Sequence, residues 1–528
     1  MPPKSKVALF GASGTMGFQA FKELWKRRRN YDISILVLPA EQDRGLFRAY
    51  EREADLPPVR GAGVAANNGF KIVWGDATHY ADVVETVKGA DWVLNAMAYI
   101  SPMADYHPEL ARAVNVDGIA NILKAIQSEP DGAARIHYVH TGTVAETGNR
   151  PVGIHMGRVG DPLKPSVFDY YALTKIIGER MVLESALRYW VSLRMTFIMP
   201  TTYKEMQALN DAISFHVPHD AREENITDRD AGLGMVNCLD IPDNSDFWRR
   251  VYNMGGGPQM RVIAYDFLAD SYKRNGLDVR ACMARNWNST RNFHMQYYED
   301  SAILNEYLHY WRDTLETYKQ AIAADTPWTM KWVAALARKI PAFRAQVEKS
   351  AYALNKKLAE NHRNSPRYWY LQRNEMRMTA FFKSYAAYEA IPGWDVAMPD
   401  LDPNAPWQRL EHGYDEGKTE LDLGDLQGAA QFRGGSCLSE AWDGDLYAPL
   451  DWVCAFGHRF SARPFTILKA GHWCPTCDTT WNGDEQARKN PFFAQVWHAD
   501  HAPDEYNVYP EACINDIKDA DREYAANY

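Results

Sequence analysis

Short apolar runs alternate with longer amphipathic stretches through the first part of the chain. The runs lie at 6–10, 33–38, 71–74, 91–94 and 136–139. Runs of this length are typical of strands buried on both faces, and the stretches between them are typical of helices. Because buried strands and helices alternate, we expect a parallel sheet with helices on both sides. The pattern therefore predicts an α/β fold of the Rossmann-like, doubly wound type.

A glycine-rich loop follows the first of these runs directly. It reads Gly11-Ala-Ser-Gly14-Thr-Met-Gly17 and leads into a helical stretch at 18–29. In such a loop the first glycine allows a tight turn, the second lets the backbone approach a pyrophosphate, and the third lets helix and strand pack closely. The N-terminus of the next helix then offers free N–H groups and a positive dipole end to the phosphates. The loop therefore predicts a dinucleotide-binding site.

Further motifs follow the glycine loop in a fixed order. They are Gly75-Asp76, Asn95-Ala-Met-Ala98, Asn115-Val-Asp-Gly118, Thr141-Gly-Thr143, Tyr171-Ala-Leu-Thr-Lys175, the segment 193–200 and Tyr252-Asn-Met-Gly-Gly-Gly257. Together they resemble the extended short-chain dehydrogenase/reductase family, of the NAD-dependent epimerase/dehydratase kind, over roughly residues 5–290. The resemblance implies that NADP or NAD is bound by Gly11, Ser13, Gly14, Thr15, Met16, Gly17, Arg44, Asp76, Ala77, Asn95, Ala96, Met97, Ala98, Tyr171, Lys175 and Pro200.

Tyr171 and Lys175 are four residues apart, so on a helix they share one face. A free tyrosine has a pKa near 10 and is a poor base at neutral pH. A lysine ammonium nearby would lower that pKa and allow proton exchange with an alcohol or ketone. By resemblance, Thr143 hydrogen-bonds the reacting oxygen and Asn115 supports the lysine through water. We therefore expect Thr143, Tyr171, Lys175 and Asn115 to form the catalytic set.

This set leaves three functions open. The first is an NAD(P)-dependent oxidoreductase that transfers hydride between nicotinamide and a secondary alcohol or ketone. The second is a sugar-nucleotide epimerase, which uses the same tyrosine and tightly bound NAD. Val144 and Ala145 stand where sugar-nucleotide 4,6-dehydratases carry an acid pair, which weakens a dehydratase interpretation. The third is a non-catalytic NADP sensor, which has no need of the proton-transfer residues.

The choice between NAD and NADP depends on the end of the second strand. A carboxylate there would bind the ribose 2′-hydroxyl of NAD. The chain has Leu38-Pro-Ala-Glu41-Gln-Asp-Arg44 instead, with no acid where the run ends. Arg44 could meet the 2′-phosphate of NADP or be a solvated loop charge. The sequence favours NADP, with NAD as the alternative.

Residues 301–395 have a helical pattern rich in aromatic residues and extend beyond the family's usual length. Within them, the segment 331–357 mixes apolar residues such as Trp332 with many lysines and arginines. A basic amphipathic helix can lie on an anionic membrane, but an aromatic stripe at helical spacing more often packs in a core or an oligomer. We therefore predict packing in a core or an oligomer. We also expect the insertion 301–395 to form a lid over a bulky, apolar substrate, so that deletion of 325–360 would raise the substrate KM. His216, His219 and His294 are predicted to be structural.

The last part of the chain contains a clustered set of metal-ligand residues. After a Pro-, Gly- and acid-rich linker at 396–430, a module at 431–482 carries Cys454-x3-His458 and Cys474-x2-Cys477. Four such ligands suit tetrahedral zinc in a closed, structural site. The segment resembles zinc-ribbon modules, in which Cys437 could replace His458 as the fourth ligand. The tail, 483–528, is expected to pack on the body.

Charge and hydropathy limit the partners. The chain carries a net charge of −10, and residues 391–528 hold 24 acidic against 10 basic residues. An acidic tail argues against a nucleic-acid partner. No run reaches the roughly 18 apolar residues of a membrane span, and the glycine loop begins too early for a signal peptide to precede it. We expect a cytoplasmic enzyme with a small-molecule substrate. Members of the family often form dimers, so the resemblance suggests a homodimer, and the oligomeric state stays open.

Overall fold

The computed structural model describes residues 4–399 and 401–527. Its central feature is an eight-stranded sheet, whose strands are β1 (Ser5–Phe10), β2 (Tyr31–Val37), β3 (Gly63–Asn67), β4 (Phe70–Trp74), β5 (Trp92–Asn95), β6 (His137–Thr143), β7 (Tyr189–Met195) and β8 (Arg250–Met254). The strand order is β8-β7-β6-β5-β1-β2-β4-β3. The strands are parallel except β3, which runs antiparallel to β4 at the edge. The predicted doubly wound α/β fold is confirmed.

Helices cover both faces of this sheet. Those of eight residues or more that precede residue 240 are α1 (Thr15–Lys26), α2 (Glu41–Glu53), α3 (Tyr80–Val87), α4 (Gly118–Ser128), α5 (Tyr170–Leu183) and α6 (Asp228–Asn237). Helix α7 (Ala264–Arg274) follows them in the chain and packs in a separate apolar cluster. Side chains alternate along β1: Val7 and Leu9 share one core cluster with α1, whereas Ala8 and Phe10 share another with α3 and α4. The period-two alternation of a strand thus sends its apolar side chains into two cores. This explains why β1 reads as a continuous apolar run.

The segment after residue 300 is helical. It contains α8 (Ser301–Leu308), α9 (Leu315–Asp325), α10 (Trp328–Lys339), α11 (Pro341–Asn361) and α12 (Glu375–Phe382). Trp328 is 71% exposed and Trp332 is 63% exposed, so Trp332 does not pack in the core of this chain, and its packing in an oligomer stays a prediction. Trp369 and Phe381, by contrast, pack with Phe168 beside the N-terminus of α5. The part of this segment that reaches α5 therefore lies beyond 325–360.

The described parts of the next segment, 391–399 and 401–422, contain no helix or strand, and side chains hold them to the rest of the chain. The indole nitrogen of Trp394 donates to the Met283 carbonyl, and the ring nitrogen of His412 lies 3.0 Å from Asp161. Helix α13 (Leu423–Phe432) then leads into a three-stranded antiparallel sheet of β9 (Ser436–Cys437), β10 (Leu450–Val453) and β11 (Arg459–Ala462). The last helix, α14, spans Ala520–Asn527.

The C-terminal elements pack on the domain that contains the eight-stranded sheet. Arg463 in the small module donates to the carbonyls of Leu183 and Ser185 at the end of α5. In the tail, Ile514 and Ile517 pack against Tyr106. Among the helices of the described residues, none has the length and apolar character needed to cross a membrane.

Candidate functional site

The glycine loop forms a tight turn that packs closely on its neighbours. Gly11 has a φ of +75°, and a Cβ atom there would lie 2.6 Å from the Met97 nitrogen. A Cβ at Gly17 would lie 1.9 Å from the Gly11 carbonyl oxygen, so both positions require glycine. Gly14 differs, because its φ is −72° and a Cβ would meet only the Gly11 oxygen at 3.5 Å. Gly14 begins α1, and no side chain in the described residues caps this helix. Its first-turn N–H groups therefore point towards an anion site.

Of the other predicted cofactor residues, Ala96 and Met97 lie beside this loop. Ala96 donates its N–H to the Phe10 carbonyl, which places the segment 95–98 beside Gly11. The Asn95 amide is fully buried; it donates to the Tyr138 hydroxyl and accepts the Met97 N–H. Asn95 therefore shapes the backbone of this segment. Asp76 similarly accepts the N–H of Thr78, and Pro200 follows the two-residue strand Ile198–Met199.

Arg44 makes contacts within the protein instead of lying free at the end of β2. Its guanidinium lies 4.2 Å from the centre of the Trp74 ring and donates to the carbonyls of Val59 and Gly61. The neighbouring Asp43 hydrogen-bonds Ser13 in the glycine loop, and burial raises the pKa of Asp43. An acidic group therefore stands beside the loop where the sequence analysis expected a basic one.

Tyr171 and Thr143 are brought together as predicted. The Tyr171 side chain is 8% exposed and hydrogen-bonds the Thr143 side chain. Burial raises the pKa of Tyr171, the charges of Glu146 and Asp169 raise it further, and the bond to Thr143 opposes them. The expected lowering of this pKa by Lys175 is absent, because the lysine ammonium is directed elsewhere. At neutral pH Tyr171 is a protonated phenol, which is the form that donates a proton.

Lys175 lies in the protein interior, one helical turn after Tyr171. Its side chain is fully buried, and Nζ donates to the Thr141 carbonyl at 2.5 Å. Burial lowers the pKa of Lys175, while Glu146 and Glu179 oppose that shift. The ammonium is thus held between the end of β6 and two carboxylates.

Asn115 braces the loop that leads to the site. It lies in a π-helical turn, Ala113–Asp117. Its amide oxygen accepts the Tyr99 N–H at 2.8 Å, and its amide nitrogen donates to the Tyr99 carbonyl and to the Thr174 hydroxyl. The side chain thereby ties α5 to the 95–99 segment. Both N–H groups of the amide are used by these contacts, and the support of Lys175 through water stays a prediction.

A buried charge cluster behind Lys175 was missed by the sequence analysis. Glu146 accepts the Thr143 N–H at 3.0 Å, and Arg194 lies 3.2 Å from Glu146 and 2.6 Å from Glu179. Burial raises the pKa of Glu146, whereas the bonds of Glu179 to Arg194 and His472 outweigh burial and hold its pKa well below the usual range. Two signals were available: Thr143-x-x-Glu146 is a capping-box pattern, and Glu179 stands four residues after Lys175.

A small polar cavity lies at the N-terminus of α5. It has a volume of about 20 Å³ and is lined in part by Asp105, Asp169, His294 and Phe381. His294 Nδ1 lies 2.7 Å from Asp169, the residue that caps α5. Burial and the Asp169 charge raise the pKa of Asp105 to about 7. Phe381 belongs to α12, so the helical segment contributes to the wall of this cavity, which does not include the predicted catalytic residues.

A wider cleft of about 540 Å³ lies elsewhere, between α7, α9 and the segment near Pro403. Its lining includes Arg261, Asp266 and Lys319, and it does not include the predicted catalytic residues. The other two histidines that were predicted to be structural make hydrogen bonds to backbone carbonyls: His216 to Asn364 at 2.8 Å and His219 to Arg285 at 3.3 Å.

The four predicted metal ligands come together. The ligand atoms of Cys454, His458, Cys474 and Cys477 all lie within 4.8 Å of one another. His458 Nδ1 is 3.4, 3.5 and 3.7 Å from the sulfurs of Cys454, Cys474 and Cys477, and the sulfurs of Cys454 and Cys477 are 3.8 Å apart. Cys437, the alternative fourth ligand, lies outside this group, so the structure places His458 with the three other residues.

Comparison with known proteins identifies the nucleotide-binding part. Residues 7–203 match the model of the NAD dependent epimerase/dehydratase family. This match confirms the predicted resemblance and the enzyme class for that part of the chain. No curated protein matches the sequence significantly.

Solved structures also align with the chain. A dTDP-glucose 4,6-dehydratase from Bacillus anthracis, in complex with NAD, is 12% identical with a TM-score of 0.45, covering 61% of this chain and 96% of that one. The corresponding dehydratase DesIV from Streptomyces venezuelae is 15% identical with a TM-score of 0.46, covering 60% and 95%. WbmH from Bordetella bronchiseptica, in complex with NAD⁺, is 14% identical with a TM-score of 0.43, covering 61% and 98%. At these values no substrate or mechanism is transferred from them.

Proposed function

We propose, from the premise that residues 7–203 form a domain of the NAD dependent epimerase/dehydratase family, that the protein is an oxidoreductase. It transfers hydride between a nicotinamide dinucleotide and a secondary alcohol or ketone, with Tyr171 as the general acid/base. The observation that carries this proposal is the hydrogen bond between Tyr171 and Thr143, one helical turn from the buried Lys175.

The raised pKa of Tyr171 favours ketone reduction. When bound, the dinucleotide supplies the hydride. Tyr171 donates its phenolic proton to the carbonyl oxygen, and the Thr143 hydroxyl holds that oxygen beside the phenol. The phenolate that remains takes a proton from solvent. Lys175 supplies a positive charge one turn along α5, and the burial of Tyr171 limits the access of bulk water.

We propose NAD rather than NADP as the cofactor. A 2′-phosphate would need a free cation near the end of β2, and the guanidinium of Arg44 is used by Trp74 and two carbonyl groups. Asp43 beside Ser13 would repel a phosphate at that place. A ribose 2′-hydroxyl meets neither obstacle, because it can donate a hydrogen bond to a carboxylate.

The dehydratase and sensor alternatives gain no support from the site. Glu146 is the carboxyl group nearest in sequence to Thr143, but its oxygens are engaged by the Thr143 N–H and Arg194. A sensor has no need of the Tyr171–Thr143 pair. The residues are also compatible with an epimerase. An epimerase regenerates its cofactor, whereas an oxidoreductase consumes it, so net consumption of cofactor distinguishes the two.

Replacement of single hydroxyl groups tests the proposal. Tyr171→Phe should lower NADH oxidation with a panel of bulky ketones by about a hundredfold or more, because it removes the acid. NADH binding, followed by fluorescence, should change little. The neighbouring, half-buried Tyr170→Phe is the matched control and should retain activity. Equal activity of Tyr171→Phe and the wild type would rule out the proposed role. A cofactor that is regenerated without net oxidation would indicate an epimerase.

We propose further that Cys454, His458, Cys474 and Cys477 bind one structural Zn²⁺. With Zn–S of about 2.3 Å and Zn–N of about 2.0–2.1 Å, a tetrahedron requires about 3.8 Å between sulfurs and about 3.5 Å between sulfur and nitrogen. The observed separations of 3.8 Å and of 3.4–3.7 Å fit these values. Four protein ligands leave no open position for catalysis.

Metal analysis tests this site. Purified protein should contain one zinc per chain, and Cys477→Ser should lose it. Removal by a chelator should lower the melting temperature, because the binding free energy of a structural zinc is also folding free energy. Cys238→Ser is a suitable control, because Cys238 is buried away from the cluster. Metal-free protein with an unchanged melting temperature would contradict the proposal.

A further inference from the structure

The loop just before Cys474 touches the helix that carries the predicted catalytic residues. His472 Nε2 lies 2.9 Å from a carboxylate oxygen of Glu179 on α5. Two arginines flank this contact: Arg194 donates to the Ala470 carbonyl at 2.7 Å, and Arg180 donates to the Trp473 carbonyl at 2.8 Å. Three contacts, made at residues 470, 472 and 473, thus join the metal module to the nucleotide-binding domain.

This loop has little freedom to move. Gly471 has a φ of +79°, and a Cβ atom there would lie 2.1 Å from the Asp161 carbonyl oxygen. His472 and Glu179 are fully buried, and Arg194 is 1% exposed. Because a buried charge without partners is costly, each of these groups depends on the others.

Glu179 connects the loop to the catalytic set. It stands eight residues after Tyr171 and four after Lys175, so the three side chains follow one face of α5. Its carboxylate accepts hydrogen bonds from the Ser192 hydroxyl at 2.6 Å, from Arg194 at 2.6 Å and from His472. The first two donors belong to β7, whereas His472 lies 293 residues further along the chain. The C-terminal module therefore completes a carboxylate site beneath Lys175.

We propose that His472 is a positioning residue for Lys175, held in place by the metal site. This positioning role rests on the proposed dinucleotide function. With metal bound at Cys474, two residues away, His472 is fixed against Glu179. Glu179 in turn fixes the position of α5 and holds its own negative charge facing Lys175. Metal binding in the C-terminal module is thereby coupled to dinucleotide binding at the nicotinamide end, near Tyr171 and Lys175.

Two ligands separate this role from a general loss of structure. NADH spans the whole site, whereas ADP occupies only the glycine-loop end. His472→Phe keeps a ring and removes the hydrogen-bond donor. It should raise the Kd of NADH about tenfold, because a bond to a charged group is lost, while the Kd of ADP stays within about twofold. His472→Gln restores a donor and should recover most of the NADH affinity.

His501→Phe is the matched control. His501 is also a buried histidine that contacts a carboxylate, Asp500 at 2.7 Å, but it lies in the tail. It should leave both Kd values unchanged. Removal of zinc from the wild-type protein should likewise raise the Kd of NADH and leave the Kd of ADP unchanged. This measurement replaces the variant if His472→Phe does not fold.

The outcomes distinguish the two proposals. If the wild type binds neither NADH nor ADP, the dinucleotide function fails and the positioning role fails with it. If the wild type binds NADH but His472→Phe binds it equally well, or loses NADH and ADP together, His472 is structural only and the dinucleotide function stands. An NADH affinity that is insensitive to zinc removal would overturn the coupling to the metal site.

Discussion

Gly14→Ala separates folding from cofactor binding. Gly14 has an ordinary backbone conformation, and an added Cβ would meet only the Gly11 oxygen at 3.5 Å. Alanine at a helix N-cap costs about 0.5–1 kcal/mol relative to a good cap, and the reduced freedom of the unfolded chain returns about 0.4–1 kcal/mol. We therefore expect the free energy of unfolding to change by less than about 1 kcal/mol.

The effect on dinucleotide binding should be much larger. The added methyl group stands where the backbone must approach the pyrophosphate, so N–H bonds to the phosphates are weakened. Bonds to charged groups contribute about 1.5–3 kcal/mol each, so loss of one corresponds to about a 10- to 150-fold rise in the Kd of NADH. Fluorescence titration with NADH, together with urea denaturation, measures both effects.

Gly17→Ala provides the contrast, because its Cβ would lie 1.9 Å from the Gly11 oxygen. That variant should lose stability as well as affinity. If Gly14→Ala is folded and binds NADH as tightly as the wild type, the glycine loop does not hold the pyrophosphate, and the reasoning about the cofactor site is refuted.

Two further variants test the electrostatics of the chain. Asp43→Asn should lower the Kd of NADPH relative to that of NADH, because a negative charge beside Ser13 is removed; an unchanged ratio would argue against the role given to Asp43. Burial raises the pKa of Glu223 to about 7, above its unfolded value, so its contribution to stability is complete at low pH and is lost as the pH rises through 7. The free energy of unfolding of Glu223→Gln should therefore rise relative to that of the wild type by about 2–3 kcal/mol between pH 5 and pH 8. Urea denaturation at both pH values measures this change, and a difference between variant and wild type that is the same at pH 5 and pH 8 would contradict it.

Local patterns were sufficient to predict the nucleotide-binding domain. The apolar runs, the glycine loop and the spacing of Tyr171 and Lys175 are all encoded within a few residues of chain, and the structure places them as one expects of a doubly wound sheet. The metal ligands were equally local, because Cys454-x3-His458 and Cys474-x2-Cys477 each bring two ligands to one turn.

Features that depend on distant partners were beyond the sequence. The contact between Glu179 and His472 joins residues 293 positions apart, and nothing in either segment indicates the other. Arg44 was expected to be a phosphate ligand because its partners, Val59, Gly61 and Trp74, could not be recognised. The amphipathic pattern around Trp332 indicates a helix correctly, but a pattern cannot show whether an apolar face has a partner, and Trp332 has stayed exposed.

The most direct test of the central claim is a crystal structure of the protein soaked with NAD⁺. The proposed function predicts the pyrophosphate at Gly14 and the nicotinamide ring in front of Tyr171, with space for a substrate oxygen about 3 Å from both the Tyr171 and Thr143 hydroxyls. A cleft that stays empty at saturating NAD⁺, or a nicotinamide ring that points away from Tyr171, would contradict it.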